Sequence, residues 1–164
     1  MKKILCLILC LAFFLCGCQR KAGTPLIFGI KCDASIVYNN EKYVCHIITD
    51  TDGEIVYEVI SPQTISSVKL TFEKDGNNKA EFHDIVYEPG TDEFLSKSVF
   101  KKCTDIMNDA NKKQLEIKSK ENPTVKGKIG NIKYKFTFSP AGLPLYIEAN
   151  DGFFKINFSN ITEI

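Results

Sequence analysis

The chain has 164 residues, and its 21 basic and 20 acidic side chains leave a formal net charge of only +1. A nucleic-acid-binding protein would need a clustered excess of lysine and arginine, so this balance argues against that class. The length fits one domain that can bury about two thirds of its unfolded surface.

Residues 1–17 have the order of properties that is typical of a secretion signal. Lys2 and Lys3 are positively charged, residues 4–15 are apolar but too few to span a bilayer as a helix, and the small Gly17 precedes Cys18. Removal of this segment leaves 147 residues with 19 basic and 20 acidic side chains. We therefore predict export, with cleavage between Gly17 and Cys18.

Leu15, Gly17 and Cys18 resemble the lipobox of bacterial lipoproteins. In that family the cysteine thiol receives a diacylglyceryl group, and a dedicated peptidase cuts just before it. The resemblance implies that Cys18 is the lipid-attachment site and that lipid holds the protein on the extracytoplasmic face of the cell membrane. Two acyl chains retain a protein on a bilayer where one chain lets it dissociate. An ordinary signal peptide cut elsewhere, or an uncleaved anchor, is the alternative.

Residues 18–26 are expected to form the lipidated cysteine and a tether, polar over residues 19–25, to a single domain at 27–164. Seven extended residues reach at most about 25 Å, so the domain would stay close to the membrane surface.

Alternation of apolar and polar residues predicts five strands in the first half of this domain. The first two should pair as a hairpin around Asn39-Asn40, with Ile36 opposite Tyr43. Short turns between successive strands predict an antiparallel meander. The five expected strands are 28–36, 43–47, 55–59, 68–72 and 80–87.

The next segment changes to helical spacing. Thr91 and Asp92 are expected to cap an amphipathic helix of about five turns. Its apolar stripe needs a surface to cover, and the sheet is the candidate. The residues of the stripe are Leu95, Val99, Cys103, Ile106 and Ala110.

Five more strands are predicted after the helix. The residues thus predict a mainly β (α+β) fold, with about ten antiparallel strands and one helix between the fifth and the sixth. The later strands are expected at 115–117, 125–129, 132–138, 145–149 and 154–158.

This arrangement resembles the LolA/LolB-like superfamily over residues 27–164. The resemblance lies in the strand order, the mid-chain helix, Ser61-Pro62 after the third strand, and two closing segments, 142–145 and 156–161. It implies a strongly curved sheet, or incomplete barrel, with the helix packed in the concave face. It also implies an apolar cavity between sheet and helix that binds lipid, acyl chains or another apolar ligand. The chain lacks room for the family's N-terminal helix and contains no Trp.

Two function classes are compatible with these patterns. The first is non-enzymatic binding of a lipid, an acyl chain or another apolar ligand; the second is a structural or protein-interaction subunit of an envelope complex. An empty apolar pocket would favour the first class, and a solid core with an exposed apolar patch would favour the second. Aromatic residues on strand faces are usually plain core, which argues against a cavity. The cavity of the first class would be lined by Tyr43, Tyr57, Val99, Ile106, Tyr134 and Phe136.

The chain contains no pattern that predicts catalysis, a cofactor or a metal site. His46 and His83 are expected on separate strands without a metal-ligand pattern. Residues 50–54 resemble half of a calcium loop but lack the later bidentate Glu at the right spacing, so a hairpin turn is the better interpretation. We therefore expect that the protein is not an enzyme.

Cys32 and Cys45 are a candidate disulfide, because both are expected on the apolar face of neighbouring strands in an exported protein. With Ile36 opposite Tyr43 the two cysteines are diagonal neighbours, slightly too far apart for a relaxed bond. A two-residue shift would place them opposite each other. A disulfide and two buried thiols are therefore both open. Cys103 is expected to pack as a small apolar side chain.

Replacing Cys18 with serine removes the thiol that would accept the diacylglyceryl group. The Cys18→Ser protein should stay unlipidated and uncleaved, which gel mobility, fatty-acid labelling and mass spectrometry of the N-terminus would measure. A Cys16→Ser protein, which keeps Cys18, should be processed normally. Wild-type processing of Cys18→Ser would contradict the lipidation site.

Overall fold

A single ten-stranded antiparallel sheet dominates the computed structural model, which describes residues 23–88, 95, 97–118 and 121–164. Within these residues the helix α1 spans Val99–Asn111. The strands are β1 Ile30–Tyr38, β2 Glu41–Thr49, β3 Ile55–Ser61, β4 Val68–Phe72, β5 Asn78–Phe82, β6 Ile85–Tyr87, β7 Thr124–Ile129, β8 Ile132–Phe138, β9 Pro144–Ala149 and β10 Phe154–Glu163.

The strand order is β6-β5-β4-β3-β2-β1-β10-β9-β8-β7. Consecutive strands pair as hairpins on each side, and the pairing of β1 with β10 joins the two halves of the chain. The strands β6 and β7 lie at the two edges of the sheet, which does not close into a barrel. For the described residues, the prediction of an incomplete, curved antiparallel sheet with a helix in its concave face is confirmed.

The hairpin β1–β2 forms where the sequence predicts it. Asn39 and Asn40 both have positive φ, at 51° and 66°, which suits the two-residue turn that matches the twist of paired strands. Ile36 lies opposite Tyr43, as expected. This register directs the alternate residues Ile30, Cys32, Ala34 and Ile36 into the core.

The core lies between the concave face of the sheet and one side of α1. The helix buries its apolar stripe against an apolar cluster that includes residues of β1 to β4 and β7 to β10. Each large side chain buried in this way contributes about 1.5–3 kcal/mol relative to exposure. The buried apolar residues of α1 are Val99, Phe100, Cys103, Ile106, Met107 and Ala110.

Two strand predictions were wrong, although their errors cancel in the total of ten. The expected strand at 80–87 is divided into β5 and β6, because His83 adopts a positive φ of 52° and Phe82 pairs with Ile85 across a tight turn. The expected strand at 115–117 is only a single bridge, between Glu116 and Thr124. The helix therefore lies between the sixth and the seventh strand.

The start of the helix also differs from the prediction of one continuous five-turn helix. Ser98 has an extended backbone and its hydroxyl accepts a hydrogen bond from the Lys101 amide at 3.1 Å, so α1 begins at Val99. A serine hydroxyl competes with helical hydrogen bonding and is favoured as an N-cap. The expected capping residues Thr91 and Asp92 lie outside the described residues.

Removing the cap of α1 should destabilise the protein. Ser98→Ala should lower the free energy of unfolding by about 1 kcal/mol, measured by urea denaturation. Ser98→Asp keeps a capping oxygen and should retain most of the wild-type stability. If position 98 were in a helix interior instead, alanine would be the better helix former there. A stabilised Ser98→Ala protein would contradict the cap.

Candidate functional site

The six residues predicted to line a ligand cavity belong to one packed apolar cluster. Tyr57, Ile106 and Phe136 are fully buried, Val99 and Tyr134 are buried, and Tyr43 is half-buried against the same cluster. The Phe100 ring fills the space between β2, β3 and the helix, with its centroid 5.7 Å from that of Tyr43 and 5.2 Å from that of Tyr57. The structure thus brings the six together as core.

The hydroxyl groups of Tyr57 and Tyr134 attach the helix to the sheet. The Tyr57 hydroxyl lies 3.0 Å from the Thr104 hydroxyl, and Tyr134 donates to an Asp109 carboxylate oxygen at 2.5 Å. Burial raises the pKa of both phenols, and for Tyr134 the bond to Asp109 raises it further. The two phenols therefore stay neutral and position α1: Tyr134 donates to Asp109, whereas either hydroxyl of the Tyr57–Thr104 pair can be the donor.

Beyond the helix, the concave face continues to the β6 edge as an exposed apolar surface. Phe82 is opposite Ile85, and their side chains are 45% and 70% exposed. Opposite residues of antiparallel strands share a face, so the register places both on the same face as the buried Leu70. We call Val68, Ala80, Phe82, Ile85 and Tyr87 the open apolar surface.

The sequence pattern did not predict this surface, because it predicts one strand over residues 80–87. In a continuous strand, Phe82 and Ile85 would point to opposite faces. A turn at His83-Asp84 reverses the chain and places them side by side. The short polar pair between two apolar runs was the available signal.

A polar cleft of about 840 Å³ lies between α1, the turns that join β2 to β3 and β4 to β5, and the end of β7 at Lys128 and Ile129. Lysines and carboxylates alternate along its walls, and one such pair, Lys101 and Asp105, forms an ion pair on the helix. None of the six predicted cavity residues lines this cleft. Its mixed charge suits water better than an apolar ligand.

The two histidines are separated, and only His46 is on a strand. The Nδ1 atom of His46 lies 2.6 Å from an Asp33 carboxylate oxygen, and Asn160 donates to the other oxygen at 2.6 Å. The bonds from Asn160 and then His46 hold the pKa of Asp33 below its usual range. His83, expected on a strand, lies in the β5–β6 turn.

The acidic turn has the hydrogen bonding of a hairpin. Residues 50–54 form the β2–β3 turn, in which the Asp50 amide donates to the Glu54 carbonyl at 2.9 Å. In the described part of the chain, no three or more His, Cys, Asp or Glu side chains are grouped so that they could hold a metal ion.

Cys32, Cys45 and Cys103 are free thiols in the core. Cys32 lies opposite Ile47, and Cys45 lies opposite Ala34, which is the diagonal arrangement of the preferred register. Burial raises the pKa of Cys32 and of Cys103 to about 12, and raises that of Cys45 further above its usual range. Such thiols are poor nucleophiles and poor metal ligands at neutral pH.

The predicted lipid-attachment residue Cys18 and the cleavage junction after Gly17 lie outside the described residues. The described chain begins at Gly23, whose carbonyl accepts a hydrogen bond from the Leu115 amide at 3.3 Å. No helix in the described ranges is both long and apolar enough to cross a bilayer.

The three buried thiols should resist alkylation in the folded protein. The thiolate is the reactive form, and a pKa of about 12 leaves only about one Cys32 or Cys103 thiol in ten thousand ionised at pH 8. Iodoacetamide should therefore label Cys32, Cys45 and Cys103 rapidly only after denaturation, as measured by mass spectrometry. An unreduced protein in which Cys32 and Cys45 stay blocked after denaturation would contradict the free thiols.

No protein-family model matches the chain, and no curated protein matches it. The solved structures that resemble it include two of PNGF-II, one in space group P21 and one in C2, with TM-scores of 0.40 and 0.39. Each is 6% identical in sequence and is matched over 82% of this chain. The chain spans only 28% and 27% of the length of those two proteins. These TM-scores are too low to support an argument about fold or function.

Proposed function

We propose that the protein is a membrane-anchored, non-enzymatic envelope lipoprotein that binds an apolar ligand, such as an acyl chain, on the open apolar surface. The observation that carries the proposal is the exposure of Phe82 and Ile85 on the concave face, beside the buried core. Contiguous exposed apolar side chains of this size commonly mark a binding surface. Burying each of them would contribute about 1.5–3 kcal/mol.

The position of the open apolar surface differs from that of the cavity predicted from the sequence. The space between α1 and the central strands is occupied by Phe100, Tyr57 and Met107, so a ligand there would have to displace the helix. The β5–β6 end of the same face needs no such movement. We therefore place the ligand on the concave face, at the exposed β5–β6 end.

A second candidate function is protein interaction. A packed core beside an exposed apolar patch is the arrangement expected for that class, and the edge strand β6 also favours it. Val86 is 57% exposed on the convex side of this last strand of the sheet. An extended segment of a partner could add a strand to such an edge.

A photoreactive fatty acid, supplied to membranes that contain the full-length protein, tests the main proposal. The adduct should lie on the tryptic peptide 80–97, identified by mass spectrometry. Ile85→Glu would place a carboxylate in the contact and should reduce the adduct about tenfold or more. Ile60→Glu is the matched control, because Ile60 is 46% exposed but lies on the other face of β3, and it should have no effect.

Adducts that are spread over both faces, or equal for the two variants, would contradict ligand binding at this surface. Two results together would favour the second candidate. A photoreactive residue at position 86 would capture one reproducible envelope protein, and peptide 80–97 would carry no fatty-acid adduct.

A further inference from the structure

Four exposed lysines form two directly opposed pairs on the outer face of β7 and β8. The register pairs Lys126 with Lys135 and Lys128 with Lys133. All four side chains are exposed, and they alternate with the inward residues of both strands. Lys128 also borders the polar cleft beside α1, so the other three lysines are the ones that lie wholly outside that cleft. We call these four residues the lysine face.

Direct opposition of like charges destabilises a strand pair. One carboxylate in the described sheet faces this group: Glu148 lies opposite Lys135 on β9, and it also forms an ion pair with Lys155 at 3.4 Å. Glu116, across from Thr124 at the start of β7, is the other carboxylate that strand pairing brings near. The lysine face therefore keeps a net positive charge, and folding alone does not account for it.

The start of the described chain lies beside the same strands. The Gly23 carbonyl accepts a bond from the Leu115 amide, and the next residue, Glu116, pairs with Thr124 of β7. The Leu26 amide also donates to the Gly142 carbonyl at 2.9 Å, in the turn between β8 and β9. The chain thus enters the domain at the β7–β8–β9 end of the sheet.

Distances along the chain place the lysine face within reach of a membrane that holds Cys18. The five residues from Cys18 to Gly23 span at most about 18 Å. At about 3.4 Å per residue, Lys126 and Lys128 lie about 7 Å and 14 Å along β7 from Thr124. Lys135 and Lys133 lie beside them on β8.

We infer that the lysine face is an electrostatic contact for an anionic lipid surface and that, together with acylated Cys18, it holds the domain in one orientation. The inference rests on the lipid anchor in the proposed function. Each lysine close to an anionic leaflet favours contact about fivefold over detachment. Strand order places β6 at the other edge of the sheet, so this contact leaves the open apolar surface to its ligand.

Lysine footprinting of the lipidated full-length protein in vesicles tests the contact. An amine-reactive reagent should label the lysine face several-fold less in vesicles that contain phosphatidylglycerol than in vesicles of phosphatidylcholine alone. Labelling of Lys31, Lys69, Lys74 and Lys79 should be the same in both. The protection should disappear at about 1 M salt, where the Debye length is about 3 Å.

Variants remove one lysine pair and use the other pair as the reporter. Lys126→Gln/Lys135→Gln should return the labelling of Lys128 and Lys133 toward the level in phosphatidylcholine. The control Lys31→Gln/Lys74→Gln removes the same charge elsewhere and should leave the protection intact. Equal labelling in the two vesicle types would overturn the inference. Protection that resists salt, or that occurs without vesicles, would also overturn it, because such protection indicates a contact with protein.

Failure of the anchor gives a different result. If the protein stays on vesicles at high salt but the lysine face is never protected from labelling, the anchor is present and the contact is absent. That result overturns the inference. Protein that shows the protection at low salt but leaves the vesicles at high salt supports the contact and contradicts the anchor.

Discussion

The pairing of β1 with β10 is the contact on which the rest of the structure depends. The strands before α1 form one meander and those after it form another, and local turns can build each of them. The β1–β10 pairing, which places Ala34 opposite Phe158 and Ile36 opposite Ile156, joins them into one sheet. Because these partners are more than 100 residues apart in sequence, chain entropy opposes their contact until apolar burial compensates.

The joined sheet gives α1 a surface that neither meander provides. The helix contacts the first half through Tyr57 and Thr104 and the second half through Tyr134 and Asp109. Burial raises the pKa of Cys32, Cys45 and Cys103 because β1, β2 and α1 converge here and exclude water. At β5 and β6 this well-packed centre gives way to an open apolar surface.

The two edges of the sheet differ in chemistry, and the two proposals follow from that difference. The β6 edge combines Phe82 and Ile85 on one face, whereas the β7 edge presents opposed lysines on the other. In the proposed arrangement, the acyl group on Cys18 and the lysine face hold the domain against lipid, while the apolar end remains available. Phe82, Ile85 and the four lysines are exposed, so these side chains contribute little to the core.

The amino-acid sequence by itself determined the mainly β fold, most strand positions, the β1–β2 register and the side of the helix that is buried. These features follow from local rules: period-two and helical spacing, and the tolerance of Asn39 and Asn40 for positive φ. Only the tertiary structure decided that His83 turns the chain, that Ser98 begins the helix and that Phe100 occupies the space where an apolar ligand was expected. The turn at His83 and the cap at Ser98 have local signals, but each competes with a longer continuous pattern, and tertiary packing decides between them. The position of Phe100 depends on side chains that are distant in sequence. The lysine face shows the same limit, since the alternating lysines of β7 and β8 become opposed pairs only when the register is known.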